Sequence, residues 1–153
     1  MRERHATVEA IVFVGVQGAG KSTFYRQRFF DTHIRINLDM LRTRHRESIL
    51  LDACLRAKQP FVVDNTNATP EQRARYIAAA KAARFTVTAY YFEPDVRGSV
   101  KRNEGRPEKQ RIPPAGLFGT LKRLKPPTLE EGFDRIYRVT LDESGGFQVA
   151  GLA

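Results

Sequence analysis

The chain has 153 residues, 41% of them hydrophobic, with 26 Lys and Arg against 17 Asp and Glu and a net charge of +9. That length suits one domain over residues 1–153 with a full core, and the basic balance fits an acidic partner, nucleic acid first and nucleotide second, or plain surface solubility. The lone cysteine, Cys54, excludes an internal disulfide and a Cys-based zinc cluster; His5, His33 and His45 lack ligand spacing, and no apolar run approaches the ~18 residues of a membrane span. Charged residues open the chain with no apolar signal-peptide core behind them, so a cytoplasmic protein without a membrane partner is expected.

In chain order, Ala10–Val14 is a short apolar run that reads as a buried parallel strand, followed by a glycine-rich loop and a helix over 23–30. Ile34–Leu38 alternates as a second strand, after which Asp39 is placed to cap a helix running from about Met40 to Ala57. Phe61–Asp64 is the third strand, and 65–70 is a loop. A helix starts with Pro70 at its first position and ends near Ala83, and Phe85–Phe92 is the fourth strand. A helix from Pro94 to about Gly105, a proline- and charge-rich segment and a short helix near 114–123 come next. Arg135–Leu141 is a fifth strand, and Ser144-Gly145-Gly146 turns into a last strand at Phe147–Val149. Alternating strands and helices predict an α/β domain: a mainly parallel five-stranded sheet sandwiched by helices, with a short C-terminal β-hairpin.

Gly15-Val16-Gln17-Gly18-Ala19-Gly20-Lys21-Ser22 fits G-x-x-x-x-G-K-[ST] between a strand and a helix, which is the context the motif requires of a P-loop NTPase fold. Backbone N–H groups of Gly15, Gln17, Gly18, Ala19, Gly20 and Thr23 are candidates to cradle ATP. Lys21 would reach the β- and γ-phosphates, and the Ser22 hydroxyl would sit on a magnesium ion. Asp64 ends an apolar strand, where an aspartate helps hold magnesium or simply caps a turn. Asn65, Thr66 and Asn67 are short hydrogen-bonding residues that orient a substrate or make an Asx turn. Asp39 follows the second strand and should face the same crevice as Lys21, as a group that takes or orients the proton of an attacking hydroxyl, as a helix cap, or as both. Arg97–Lys125 carries nine Lys or Arg against Glu104 and Glu108, which suits a basic lid at about 97–112 or a solvated face; Arg102 and Arg106 lie four apart and are its candidate ATP-phosphate contacts. Arg42–Arg46 is a second basic cluster, able to take a phosphodiester backbone or to be an ordinary exposed helix face.

Taken together these stretches resemble the kinase domain of polynucleotide 5′-hydroxyl kinases, within the wider AAA and zeta-toxin-like group of small P-loop kinases. The resemblance rests on the Gly15–Ser22 loop, Ile36-Asn37-Leu38-Asp39, Val63-Asp64-Asn65-Thr66-Asn67 and Arg73-Ala74-Arg75-Tyr76. It continues through Val100-Lys101-Arg102-Asn103 with Arg106, Ile112-Pro113 and Pro127-Thr128-Leu129-Glu130-Glu131-Gly132-Phe133. It implies that Asp39 is the general base, that Lys21 and Ser22 serve phosphate and Mg2+, that Arg106 and Arg102 are lid arginines on ATP, and that Arg42 lies near the acceptor phosphate. It also implies that Asn65 and Thr66 face the substrate and that the acceptor is a 5′-hydroxyl end of DNA or RNA. Two other readings stay open: a kinase for a small metabolite or sugar nucleotide, and an ATP-binding, nucleic-acid-associated module with little turnover.

Overall fold

In a computed structural model of the chain, residues 8–94 and 114–153 are described. Their elements, in order, are β1 (Glu9–Val14), α1 (Lys21–Arg28), β2 (Ile34–Ile36), α2 (Leu38–Leu41), α3 (Arg44–Ala57), β3 (Phe61–Val63), α4 (Pro70–Ala82), β4 (Thr86–Phe92), α5 (Pro114–Arg123), a 3₁₀ turn at Leu129–Glu131, β5 (Arg135–Leu141) and β6 (Phe147–Gly151). The strands form one six-stranded sheet in the order β2-β3-β1-β4-β5-β6. β1 to β5 pair in parallel, and β6 adds to β5 antiparallel, so the expected C-terminal hairpin supplies the sheet's sixth strand.

β1 lies between β3 and β4 and is buried on both faces, which is why it reads as a continuous apolar run. Its side chains alternate between two cores. Ala10, Val12 and Val14 face Leu51 and Cys54 of α3 and Tyr76, Ile77 and Ala80 of α4. Ile11 and Phe13 face Phe24, Tyr25 and Phe29, which α1 and its end supply. Phe13 meets Phe92 edge-on at 5.0 Å between ring centroids, and Phe24 meets Phe92 at 5.4 Å, so the helix behind the glycine loop is keyed into the sheet by aromatic contacts.

The expected single helix over 40–57 is two helices. Arg42 takes a left-handed backbone (φ 77°) and closes the four-residue α2, and the Thr43 side chain then accepts from the Arg46 N–H to start α3. The helix cap before Asp39 is also not Asp39 itself. Asn37 is the cap, accepting from the Met40 N–H, and Asp39 stands in the first turn of α2. Thr69 and Pro70 do open α4 as expected. The helix expected over 94–105 and the basic lid at about 97–112, with Arg102 and Arg106, fall outside the described residues.

Candidate active site

The loop between β1 and α1 lies beyond the carboxyl end of a central parallel strand, where open α/β sheets bind ligands. Gly15 has no room for a side chain: a Cβ there would stand 2.8 Å from Phe92 Cβ. Its N–H donates to the Thr66 carbonyl at 3.0 Å, which ties the loop to the end of β3. Gly20 holds φ +93° at the start of α1, a conformation only glycine takes without strain, and the Phe147 ring of β6 lies against it. Lys21 is buried and its Nζ donates to the Gly15 carbonyl at 2.6 Å and to that of Val16 at 3.0 Å, so its ammonium lies over the loop's own backbone. Gln17, Gly18 and Thr23 stand half-buried or exposed around the same turn, with Ala19 buried beneath it.

Ser22 and Asp64 come together although 42 residues separate them: Ser22 Oγ donates to Asp64 Oδ2 at 3.1 Å. Asp64 is 2% exposed, and a buried carboxylate needs partners. A hydroxyl beside a carboxylate is a hard-oxygen donor pair of the kind magnesium takes, so these residues fit the ion. The third member of the cluster had no signal as a site residue in the sequence. Arg35, at the middle of β2, donates from Nε to Asp64 Oδ2 at 2.8 Å and from Nη2 to Ser22 Oγ at 2.9 Å. The only trace it left was a charge inside an apolar strand, Ile34-Arg35-Ile36.

Asp39 is exposed, and the four-residue α2 that carries it is tied to the end of β3 by two asparagines. Asn37 Nδ2 donates to the Asp64 carbonyl at 2.6 Å, and Asn65 Oδ1 accepts from the Leu38 N–H at 2.9 Å. Asn65 is held in turn by Glu47, whose Oε2 accepts from its amide at 3.1 Å. Glu47 is 1% exposed and also accepts from Tyr76 Oη at 3.0 Å and from Arg44 at 2.8 Å. Burial, followed by the nearby Glu47 charge, pushes the Tyr76 phenol above its usual pKa, so Tyr76 stays a neutral donor. Arg42 is exposed just beyond α2, and Arg44 and Arg46 are exposed on α3.

The Asn65–Asn67 loop therefore divides. Asn65 braces α2, and the Thr66 carbonyl braces the phosphate loop. Asn67 is turned inward at φ 48°, its amide donating to the Phe13 carbonyl at 2.9 Å. On the other side of the loop, Ala19, Glu93, Pro94, Val139, Thr140, Leu141 and Phe147 line a cavity of about 220 Å³ between the loop and the β5–β6 hairpin.

The AAA domain family model (AAA_33) matches residues 11–127, well over half of the chain. The chain belongs to the AAA domain family. This AAA domain is also 28% identical over 135 residues to a Bifunctional polynucleotide phosphatase/kinase of Schizosaccharomyces pombe. That alignment takes in 86% of this chain, and the chain spans about a third (33%) of that relative's length. Among solved structures it is similar to Chaetomium thermophilum Kti12 in complex with ADP-AlF3, at a TM-score of 0.67 and 17% identity, over 89% of this chain and 92% of that one. It is also similar to a gluconokinase from Sinorhizobium meliloti, at a TM-score of 0.60 and 18% identity, over 89% and 84% of the two chains. The AAA domain thus has the fold of a P-loop kinase, resembling polynucleotide kinase in sequence. No helix among the described residues is long and apolar enough to cross a membrane.

Proposed function

We propose that this AAA domain is a Mg2+- and ATP-dependent phosphotransferase whose acceptor is a polynucleotide 5′-hydroxyl end. The observation that carries the reading is the link between Asp39 and the Ser22–Asp64 pair. One residue, Asn37, caps the helix bearing Asp39 and hydrogen-bonds the Asp64 backbone, so a candidate base and a candidate metal site are positioned by the same side chain. The likeness to the phosphatase/kinase of Schizosaccharomyces pombe favours a polynucleotide over a small metabolite as the acceptor.

In this reading the loop amides and Lys21 bind the β- and γ-phosphates. Ser22, with Asp64 behind it, holds Mg2+, which when bound neutralises charge on the transferring phosphoryl group. Asp39 orients the acceptor hydroxyl and takes its proton, and Arg42 steadies the phosphate next to it. The cavity beside Ala19 and Phe147 takes the nucleoside of ATP. Arg102 and Arg106 serve as ATP-phosphate contacts.

The test is transfer of label from γ-labelled ATP with Mg2+ to a short 5′-hydroxyl oligonucleotide. Asp39→Ala should lower the rate by about 10²- to 10⁴-fold while ATP still binds. Lys21→Ala should lose ATP affinity as well as rate. Turnover in Asp39→Ala at the wild-type rate would remove its role as base. An unlabelled oligonucleotide with wild-type protein that binds ATP would overturn the polynucleotide acceptor.

A further inference from the structure

Arg35 and a metal ion claim the same two oxygens. The guanidinium forks between Asp64 Oδ2, at 2.8 Å from Nε, and Ser22 Oγ, at 2.9 Å from Nη2. Ser22 Oγ itself donates to that same Asp64 oxygen at 3.1 Å, so three groups close a triangle. This is not a loose surface pair. The carboxylate is 2% exposed and the Arg35 side chain 26% exposed. Arg35 is anchored on β2, which pairs with β3 through Ile36 and Val63, next to Asp64 itself. A planar fork is also the side chain best shaped to bridge two oxygens, where a lysine would reach one.

We infer that Arg35 is a built-in competitor of the divalent cation: it holds Ser22 and Asp64 in register as an organic cation and must leave them when Mg2+ binds with nucleotide. The inference rests on the reading of Ser22 and Asp64 as metal donors. Its physical basis is charge. A carboxylate buried as deeply as Asp64 is costly unless a cation or hydrogen-bond donors face it, and two cations sharing one pair of oxygens repel each other. Arg35 therefore spares the protein an unpaired buried carboxylate, and in exchange it weakens the metal. No step of phosphoryl transfer is assigned to Arg35; its effect is on how much Mg2+ the site demands.

The experiment titrates Mg2+ against the 153-residue chain with a fixed, subsaturating concentration of fluorescent ADP, and follows ADP binding. A parallel thermal melt is run with and without Mg2+. In Arg35→Gln the Mg2+ concentration for half-maximal ADP binding should fall about tenfold, equivalent to about 1.4 kcal/mol. Its melting temperature without metal should drop below wild type, and Mg2+ with ADP should raise it by more than in wild type. Arg35→Lys keeps a cation on β2 without the fork and should fall between the two, which preserves the test if the glutamine variant folds poorly. An unchanged or raised Mg2+ requirement in both variants overturns the competition while leaving nucleotide binding intact. Wild-type protein that binds no ADP at any Mg2+ concentration overturns both this inference and the reading it rests on.

Discussion

Arg73 is fully buried, and its guanidinium spends all its donors inside the protein. Nε donates to the Asn67 carbonyl at 2.8 Å and Nη2 to that of Ala68 at 3.0 Å. Nη2 also reaches the Lys125 carbonyl, and Nη1 meets both oxygens of Glu131 at 3.1 and 3.0 Å. Burial outweighs these partners and lowers the Arg73 pKa from its usual value, yet an arginine stays charged. One side chain thus joins the loop after β3 to the segment that follows α5. Arg73→Met removes the charge that faces Glu131 and takes a donor from the Asn67 and Lys125 carbonyls, while the Ala68 carbonyl keeps the Lys125 N–H and Glu131 keeps the Thr128 N–H. The substitution should destabilise the protein by about 3–5 kcal/mol, read as a lower urea midpoint. Glu131→Gln keeps an acceptor in place and should cost less, about 1–2 kcal/mol. Both residues were visible in the sequence as parts of motifs, Arg73-Ala74-Arg75-Tyr76 and the Pro127–Phe133 stretch. What was not visible is that they are one contact, because 58 residues separate them. Glu47 was less legible still: on a helix with exposed neighbours it reads as a surface residue, yet it is buried with Tyr76 and Asn65 as hydrogen-bond donors to it.

At the scale of elements, α2 is the informative case. Four residues cannot hold a helix in water, since the first turn costs more than it returns. Its place depends on Asn37 and Asn65, which satisfy N–H groups at its open end. Asn65→Ala removes the acceptor for the Leu38 N–H and one donor to Glu47. Amide exchange at Leu38–Leu41 should quicken about tenfold or more, with global stability falling by only about 1 kcal/mol. Unchanged exchange at those amides would mean that α2 is held by something else. The same region explains the misread boundary. Asp39 is a good capping residue by type, but the chain leaves β2 two residues earlier than alternation suggested, and Asn37 takes the cap. Where capping chemistry and hydrophobic pattern agreed, as at Thr69–Pro70 of α4 and along Arg135–Leu141 of β5, expectation and structure coincide.

At the scale of the whole molecule, contacts of the same long-range kind fasten the C-terminal strands to the rest of the sheet, and one of them is sensitive to pH. Asp134, just before β5, accepts from the Val87 N–H at 2.8 Å and from Lys81 Nζ at 2.8 Å, so it fastens β4 and α4 to the C-terminal strands. Partial burial opposes its charge, but the Lys81 and Val87 hydrogen bonds outweigh that and hold its carboxyl below the usual value. A depressed carboxyl favours the folded state above its unfolded pKa of about 3.9, and that support fades as pH falls through the folded value. Asp134→Asn should therefore melt below wild type at pH 7 by a few degrees, on the order of 1 kcal/mol for a half-exposed pair, and the gap should close in acid. An equal gap at all pH values would assign the effect to packing alone.

The sequence by itself determined the α/β class, the strand–loop–helix around Gly15–Ser22 and the place of Asp64 directly after β3, because each is written in local periodicity or in a contiguous motif. Tertiary structure decided the rest. It added β6 to the sheet edge, turned Asn67 inward, split one expected helix in two, and set Arg35 across Ser22 and Asp64. The physical reason is distance along the chain. Hydrophobic pattern specifies which face of an element is buried, but a polar side chain's role depends on partners tens of residues away that only the packed sheet brings within hydrogen-bond reach.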